Sequence, residues 1–431
     1  MQRLRSITVS IFLSLAAAAH TLGQDEGPDT GRYDLANGIR VVAVHVPGAT
    51  RQCTFTFLPP ALANDPVHRA QWSHLLEHMV IRSTDAEGLV AAGVEFNGET
   101  QPHSLRLDTY AAPDSFRESF EKHARWLSAD AFDGAALARE KQMIAQEEHT
   151  VVQGNFAHKF AVAAWNQIVR HGLDHAAVHA DIANAAIADV STFAADAMSV
   201  DDSVLVATIG PADPAQVRTA LEQTIGRVPA RARDAEIDRA TSDPIRGGAL
   251  NATWDLDASH LLLWWRLPDD STATRALALT IEMSIMQAGR ALQGGVVLAT
   301  SLFNLPEGPV LLINASLTDE QNPDEVRERL TAIVNSIAAN TGQLMFTNAM
   351  LAREMGAPPN FEMMRAQTPE QYRWLVEGQW VLTIGQYEFT WSRTLEGIVA
   401  DLQAIDQPAI EAAAAPLTHP PAGSLHLTPR D

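Results

Sequence analysis

The sequence predicts an α+β chain of two similar domains in tandem, and three observations carry that expectation. Strand-like and helical patterns are interspersed from Ile39 onward, a charged stretch divides the chain, and features of the first part recur in order in the second. The 431 residues fit two or three domains at about 100–200 residues each. Hydrophobic residues make up 46% and charged residues 19%, which is enough to build packed cores.

The chain opens on Arg3 and Arg5, then the apolar run Ser6 to Ala19, then small residues. That order predicts a secretory signal over 1–23, cleaved after Ala19 or Gly23. The run is shorter than the ~18 residues a membrane span needs, so a signal is favoured over an uncleaved anchor. After its removal no membrane span is expected, and the location read from the segment is secreted, in a bacterial periplasm. Cys53 is the single cysteine, so no intrachain disulfide can form; it reads as a small buried hydrophobe.

The first domain is expected over 28–228. Ile39–Val46 and Cys53–Leu58 read as strands, the former bounded by Asn37-Gly38. Val67 to Arg82 has a helical pattern. Asn97-Gly98 then reads as turn chemistry, followed by alternating Leu105, Leu107 and Thr109. Helical patterns return over Pro113–Ser128 and Gly134–Val152, with a buried strand at Ser203–Ile209 and a helix at Pro214–Ile225. The segment 229–248 crowds Arg231, Arg233, Asp234, Glu236, Asp238, Arg239 and Asp243 before Pro244 and Gly247-Gly248, the signature of a linker. The second domain, 249–431, is expected to lack a metal site. Pro-Asp leads into a helix at Pro113 and again at Pro323, and each is followed by Leu-Ala-Arg-Glu, at Leu137–Glu140 and Leu351–Glu354. This ordered echo predicts an internal duplication. The helix of the second part near Glu282 has no histidine, and Phe361 stands where the repeat would place a partner for Glu147.

The chemistry concentrates in His74-Leu75-Leu76-Glu77-His78. On a helix His74 and His78 lie one turn apart on one face, a spacing that suits two imidazole ligands of one Zn2+. Glu77 borders that face and can take a proton from water, the inverted form of the His-Glu-x-x-His helix. A catalytic zinc needs a third protein ligand. The helix Gly134–Val152 offers Glu140, Glu147, Glu148 and His149; Glu140 and Glu147 project alike about two turns apart, and Glu148 is turned by roughly 100°. Glu147 is therefore taken as the ligand, with Glu140 supporting the site. His171, His175 and His179 repeat at helical spacing but have no acidic base beside them, and they read as loop or surface histidines. Trp264-Trp265 and the stretch Trp374–Trp391 read as core or interface. The formal net charge of −21 excludes phosphate-backbone binding, so no nucleic-acid partner is expected.

At these residues the chain resembles the insulinase/pitrilysin-type metallopeptidases, in the short two-domain branch that includes mitochondrial processing peptidase. The resemblance runs through Leu35-Ala36-Asn37-Gly38-Ile39-Arg40-Val41-Val42, His74-Leu75-Leu76-Glu77-His78-Met79, Asn97-x-x-Thr100, Glu140-x6-Glu147 and the closing segment Leu402–Pro429. It implies two domains, each a mainly antiparallel mixed sheet packed by helices. It also implies zinc on His74, His78 and Glu147, with Glu77 as base, Glu140 in support, and Asn97 and Thr100 at the substrate edge. The implied activity is an endopeptidase acting on unfolded peptides, working as a homo- or heterodimer with a second subunit of the family. One departure stands out. The family's Arg and Tyr of the second half have their nearest match at Arg290-Ala291-Leu292-Gln293-Gly294, and the Tyr position falls on Val297, or on Leu298 if the match slips by one. Two expectations follow: a partner subunit supplies that pair, or the chain is a degenerate peptidase. The competing reading is a non-catalytic subunit that shapes a chamber or scaffold; a third is an exported binding protein with a fortuitous motif.

Overall fold

The computed structural model describes residues 29–60, 65, 69–82, 93–101, 104–128, 132–150, 167–168, 175–231, 246–254, 256, 258–291, 298–305, 308–357 and 359–429. The signal segment 1–23, Val297 and most of the expected linker lie outside them.

The first sheet is built from β1 (Asp29–Asp34), β2 (Arg40–His45), β3 (Gln52–Leu58), β4 (Val94–Thr100), β5 (Leu105–Ala111) and β6 (Leu205–Gly210). Their order is β1-β2-β6-β3-β5-β4. The second contains β7 (Gly248–Trp254), β8 (Ser259–Arg266), β9 (Leu298–Leu305), β10 (Gly308–Leu317) and β11 (Gly423–Pro429), in the order β7-β11-β8-β10-β9. With β1 set aside, the two orders superimpose strand for strand. In both, the pair formed by the first strand and the last is parallel (β2–β6 and β7–β11) and every other pair is antiparallel. The mixed, mainly antiparallel α+β architecture is thus present twice, and the order echoed by Leu-Ala-Arg-Glu is a structural repeat.

Helices cover one face of each sheet. In the first half these include α1 (Trp72–Arg82), α2 (Phe116–Leu127), α3 (Gly134–Thr150), α4 (His175–Asn184), α5 (Ile187–Ala197) and α6 (Pro214–Gln223). Among the described residues the helices of the second half are α7 (Thr272–Ala291), α8 (Pro323–Ala339), α9 (Thr341–Gly356), α10 (Phe361–Gln367), α11 (Arg373–Trp391), α12 (Leu395–Ala404) and α13 (Gln407–Ala414), of which α10 and α11 lie against the first sheet. Strand alternation sends Leu105 and Leu107 toward α1 and α2 and leaves Arg106 and Asp108 on the opposite face.

The second face of each sheet is covered by the other half of the chain. Val42, Val44, Phe55, Phe57 and Ala207 of the first sheet pack with Phe361, Met364, Val381 and Ile384 of α10 and α11. Leu262, Trp264, Leu312 and Leu425 of the second pack with Ala70, Ile168 and Val178. Close approach of α11 depends on glycine: a Cβ on Gly385 would lie 2.6 Å from Phe57 Cε2 and 2.8 Å from Ala207 Cβ. The aromatic-rich stretch of α11 is therefore a seam between the halves. Among the described residues no helix is long and apolar enough to cross a membrane.

Two local expectations differ from the fold. Of the helix expected over Val67–Arg82, Val67 and His68 lie outside the described residues; the described helix runs from Trp72, and Gln71 just before it adopts a left-handed backbone at φ 64°, which cannot continue a right-handed helix. Asn97-Gly98 does not turn. Both residues lie inside β4, which runs to Thr100; Gln101, just past its end, donates from N to Ser104 O at 2.7 Å. Gly98 is present because backbone approaches α1 there, the other common use of glycine within a strand.

Candidate metal centre

α1 is buried along nearly its whole length, from Trp72 to Ile81. Leu75, Leu76, Met79 and Val80 join the core of the first half, which leaves His74, Glu77 and His78 on the remaining face, buried but polar. Burial of that many polar groups demands partners, and each has them. Asp65 fixes the start of the helix, accepting from Ser73 N at 2.9 Å and Ser73 Oγ at 2.6 Å, where a carboxylate also suits the helix dipole.

The two imidazoles sit 4.8 Å apart, centre to centre, with planes inclined at 80°. His74 Nδ1 donates to Gln71 Oε1 at 3.0 Å, and His78 Nδ1 donates to Glu140 Oε2 at 3.1 Å. Both Nε2 atoms are thereby left with lone pairs facing Glu147 of α3, whose Oε2 lies 3.7 Å from His74 Nε2 and 3.3 Å from His78 Nε2. The three ligand atoms lie within 4.8 Å of one another. An ion with bonds of about 2.0–2.1 Å places tetrahedral ligands about 3.4 Å apart, so the donor set fits zinc in identity and in spacing. The field agrees. Burial disfavours charge on His78, but the Glu147 carboxylate facing its ring and the charge of Glu77 outweigh it and hold its pKa above the ordinary value; these groups favour a cation between them.

Glu140, 2% exposed, also receives Arg82 Nε at 3.3 Å. Glu77 Oε2 accepts from Thr100 Oγ1 at 2.6 Å. Burial pushes the Glu77 carboxyl up to about 7, with the Thr100 hydrogen bond and His78 acting against the shift. Gly98 lies directly against it: a Cβ there would fall 2.8 Å from both Cγ and Oε1 of Glu77.

The residues expected at this site from sequence are thus brought together, with two distinctions. The Thr100 hydroxyl is engaged with Glu77. The side chain of Asn97 is exposed on the opposite face of β4, in register with Asp108. Sequence reasoning missed Gln71, Asp65 and Gly98. Gln71 had a usable signal, since it stands one helical turn before His74; Asp65 lies nine residues before His74, outside the helical pattern, where no periodicity marks it. Of the competing histidines, His175 and His179 fall on α4 and His171 lies outside the described residues. Among the described residues the one cluster with metal-ligand geometry is His74, His78 and Glu147. Cys53 is 1% exposed, and burial pushes its thiol pKa up, as for an inert core residue.

No family model and no curated protein matches the chain in sequence. Solved structures do match in fold. A protease from Helicobacter pylori superimposes with a TM-score of 0.67 at 14% identity, covering 94% of this chain and 100% of that one. Pitrilysin gives 0.62 at 16% identity over 96% of this chain and 46% of its own. The inactive domain of an M16 peptidase from Pseudomonas fluorescens gives 0.62 at 15% identity, covering 93% of this chain and 97% of that domain. The chain has the fold of the insulinase/pitrilysin-type, or M16, peptidases.

Proposed function

We propose that this chain is a zinc-dependent endopeptidase acting on unfolded peptides, with His74, His78 and Glu147 as ligands and Glu77 as general base. The observation that carries the reading is the convergence of His74, His78 and Glu147 ligand atoms within 4.8 Å of one another, with the buried carboxyl of Glu77 on the same helix face. A scaffold has no use for such a base, whereas general-base chemistry works best with a pKa near the working pH.

When bound, zinc supplies Lewis acidity to the scissile carbonyl and to water. The remaining steps belong to the chain. Among the described residues β4 is an edge strand, hydrogen-bonded to β5 on one side; an extended peptide adds to such an edge through its backbone. The backbone at Asn97 and Gly98 places that peptide over Glu77. Glu77 accepts the proton of the attacking water and returns it to the leaving amine, a role worth typically ~10²–10⁴-fold. Glu140 holds His78 so that Nε2 faces the metal.

Residues 28–228 and 249–431 are taken as the two domains, joined by 229–248, with 1–23 as an export signal and a second subunit completing the working dimer. A second reading, a non-catalytic subunit of the same fold, is favoured by the likeness to an inactive domain. Zinc content and hydrolysis of a quenched peptide library separate the two. Glu77→Gln should abolish turnover and leave zinc bound, while His74→Ala or Glu147→Ala should lose the metal. Full activity in Glu77→Gln would overturn the mechanism.

A further inference from the structure

Two described residues other than glycine have a left-handed backbone, Gln71 and Ser392. Ser392 closes the C-terminus of α11, where that conformation is the common way to end a helix. Gln71 precedes the N-terminus of α1, where no such habit exists. It accepts the first helical bond, from Leu75 N at 2.9 Å, and so occupies the N-cap position. The amide that an N-cap side chain ordinarily serves, that of Ser73, is already held by Asp65. The side chain of Gln71, in a residue 3% exposed, instead meets His74 Nδ1 at 3.0 Å.

A strained backbone at a buried residue persists when its surroundings require it, and such strain concentrates at functional sites. From that juxtaposition we infer that Gln71 is a positioning residue for the metal ligand His74, a role that rests on the metal-site reading above. Its Oε1 accepts the Nδ1 proton, which fixes the tautomer with a lone pair on Nε2 and sets the ring plane toward Glu147. Glu140 does the same for His78. The two imidazoles are thus oriented by unlike groups, a neutral amide and a carboxylate. Outer hydrogen bonds of this kind fix ring orientation and ligand basicity. Glycine at this position would relieve the backbone and remove the acceptor together, so the strain is retained for the side chain.

The test is zinc affinity, by competition with a chelating indicator, together with melting of the zinc-free protein, for wild type, Gln71→Gly, Gln71→Glu and His74→Ala. Gln71→Gly should bind zinc about 10–100-fold more weakly, with the melting temperature of the zinc-free form unchanged or raised. Gln71→Glu keeps an acceptor and should stay within about threefold of wild type. Wild-type affinity in Gln71→Gly, equal weakening in Gln71→Glu, or a fall in zinc-free stability that parallels the loss of zinc would each overturn the inference. If His74→Ala loses zinc while Gln71→Gly keeps it, this inference alone fails. If wild type binds none, the metal-site reading fails and this inference with it.

Discussion

Gly98→Ala probes how closely the edge strand must approach Glu77, the proposed base. The added Cβ would lie 2.3 Å from Ile81 Cδ1 and 2.8 Å from both Cγ and Oε1 of Glu77, against an ordinary carbon–carbon contact of about 3.5–4.0 Å. Ile81 can rotate its terminal methyl away. Glu77 cannot yield as freely, because Thr100 holds its other carboxylate oxygen at 2.6 Å. The displacement therefore falls on β4 or on the Glu77 carboxyl, and relief requires movement of about 1 Å. Overpacking of this kind costs about 1–3 kcal/mol of stability, and a 1 Å misplacement at a reacting group costs on the order of 10²-fold in rate. The variant should therefore lose about two orders of magnitude in kcat/KM while zinc stoichiometry stays at the wild-type level, since the alanine touches no ligand. Peptide hydrolysis and metal content on the same preparation make the measurement. Activity within about threefold of wild type, or parallel loss of metal, would refute the idea that Gly98 sets the distance between strand and base.

Three further predictions concern the frame around the site. His123 is fully buried, bonded to Thr56 at 2.8 Å and Thr109 at 2.9 Å, and burial holds its pKa down to about 3. The folded state then binds fewer protons than the unfolded one, so stability is complete above about pH 6.5 and falls as pH drops toward 3. The loss by pH 5 is about 2 kcal/mol, and His123→Gln should remove that part of the acid dependence in urea unfolding at pH 7 and pH 5; an unchanged dependence would contradict it. Asp108 accepts two hydrogen bonds from Arg106, at 2.7 and 3.0 Å, with both residues buried. Asp108→Ala should destabilise by about 1–3 kcal/mol, since Arg106 keeps its bond to Glu99 at 2.7 Å, and Asp108→Leu combined with Arg106→Met should recover most of it, as read from denaturant midpoints. Gly385→Ala, at the seam between the halves, should cost about 1–3 kcal/mol and leave zinc affinity unchanged, which calorimetry and metal titration check together.

The core of the site was legible because its spacing is local: His74, Glu77 and His78 lie within two turns of one helix, and Glu140 and Glu147 share a face of another. The first sheet was legible where apolar alternation is strong, as in β3 and β5. The rest depends on contacts that sequence does not encode locally. Asn97-Gly98 carries the letters of a turn, yet lies in a strand because Gly98 must pass against Glu77. The helical pattern of the sequence runs through Gln71, where a left-handed backbone interrupts it. The exchange of covers between the halves, with Val381 and Ile384 packed on the first sheet and Ile168 and Val178 on the second, joins residues hundreds of positions apart and leaves no periodic mark. The repeat itself showed only as Pro-Asp and Leu-Ala-Arg-Glu recurring in order, because duplicated strands need to keep their burial pattern and not their residues.

The proposed chemistry needs a metal held by His74, His78 and Glu147 working with Glu77 as base. The measurement that tests it most directly is zinc stoichiometry and hydrolysis of quenched peptides by the wild-type chain and by Glu77→Gln, prepared side by side. About one zinc per chain is expected in both, as three converging protein ligands provide, with turnover in the wild type and none in the variant. Absence of zinc from the wild type, or undiminished turnover in the variant, would contradict it.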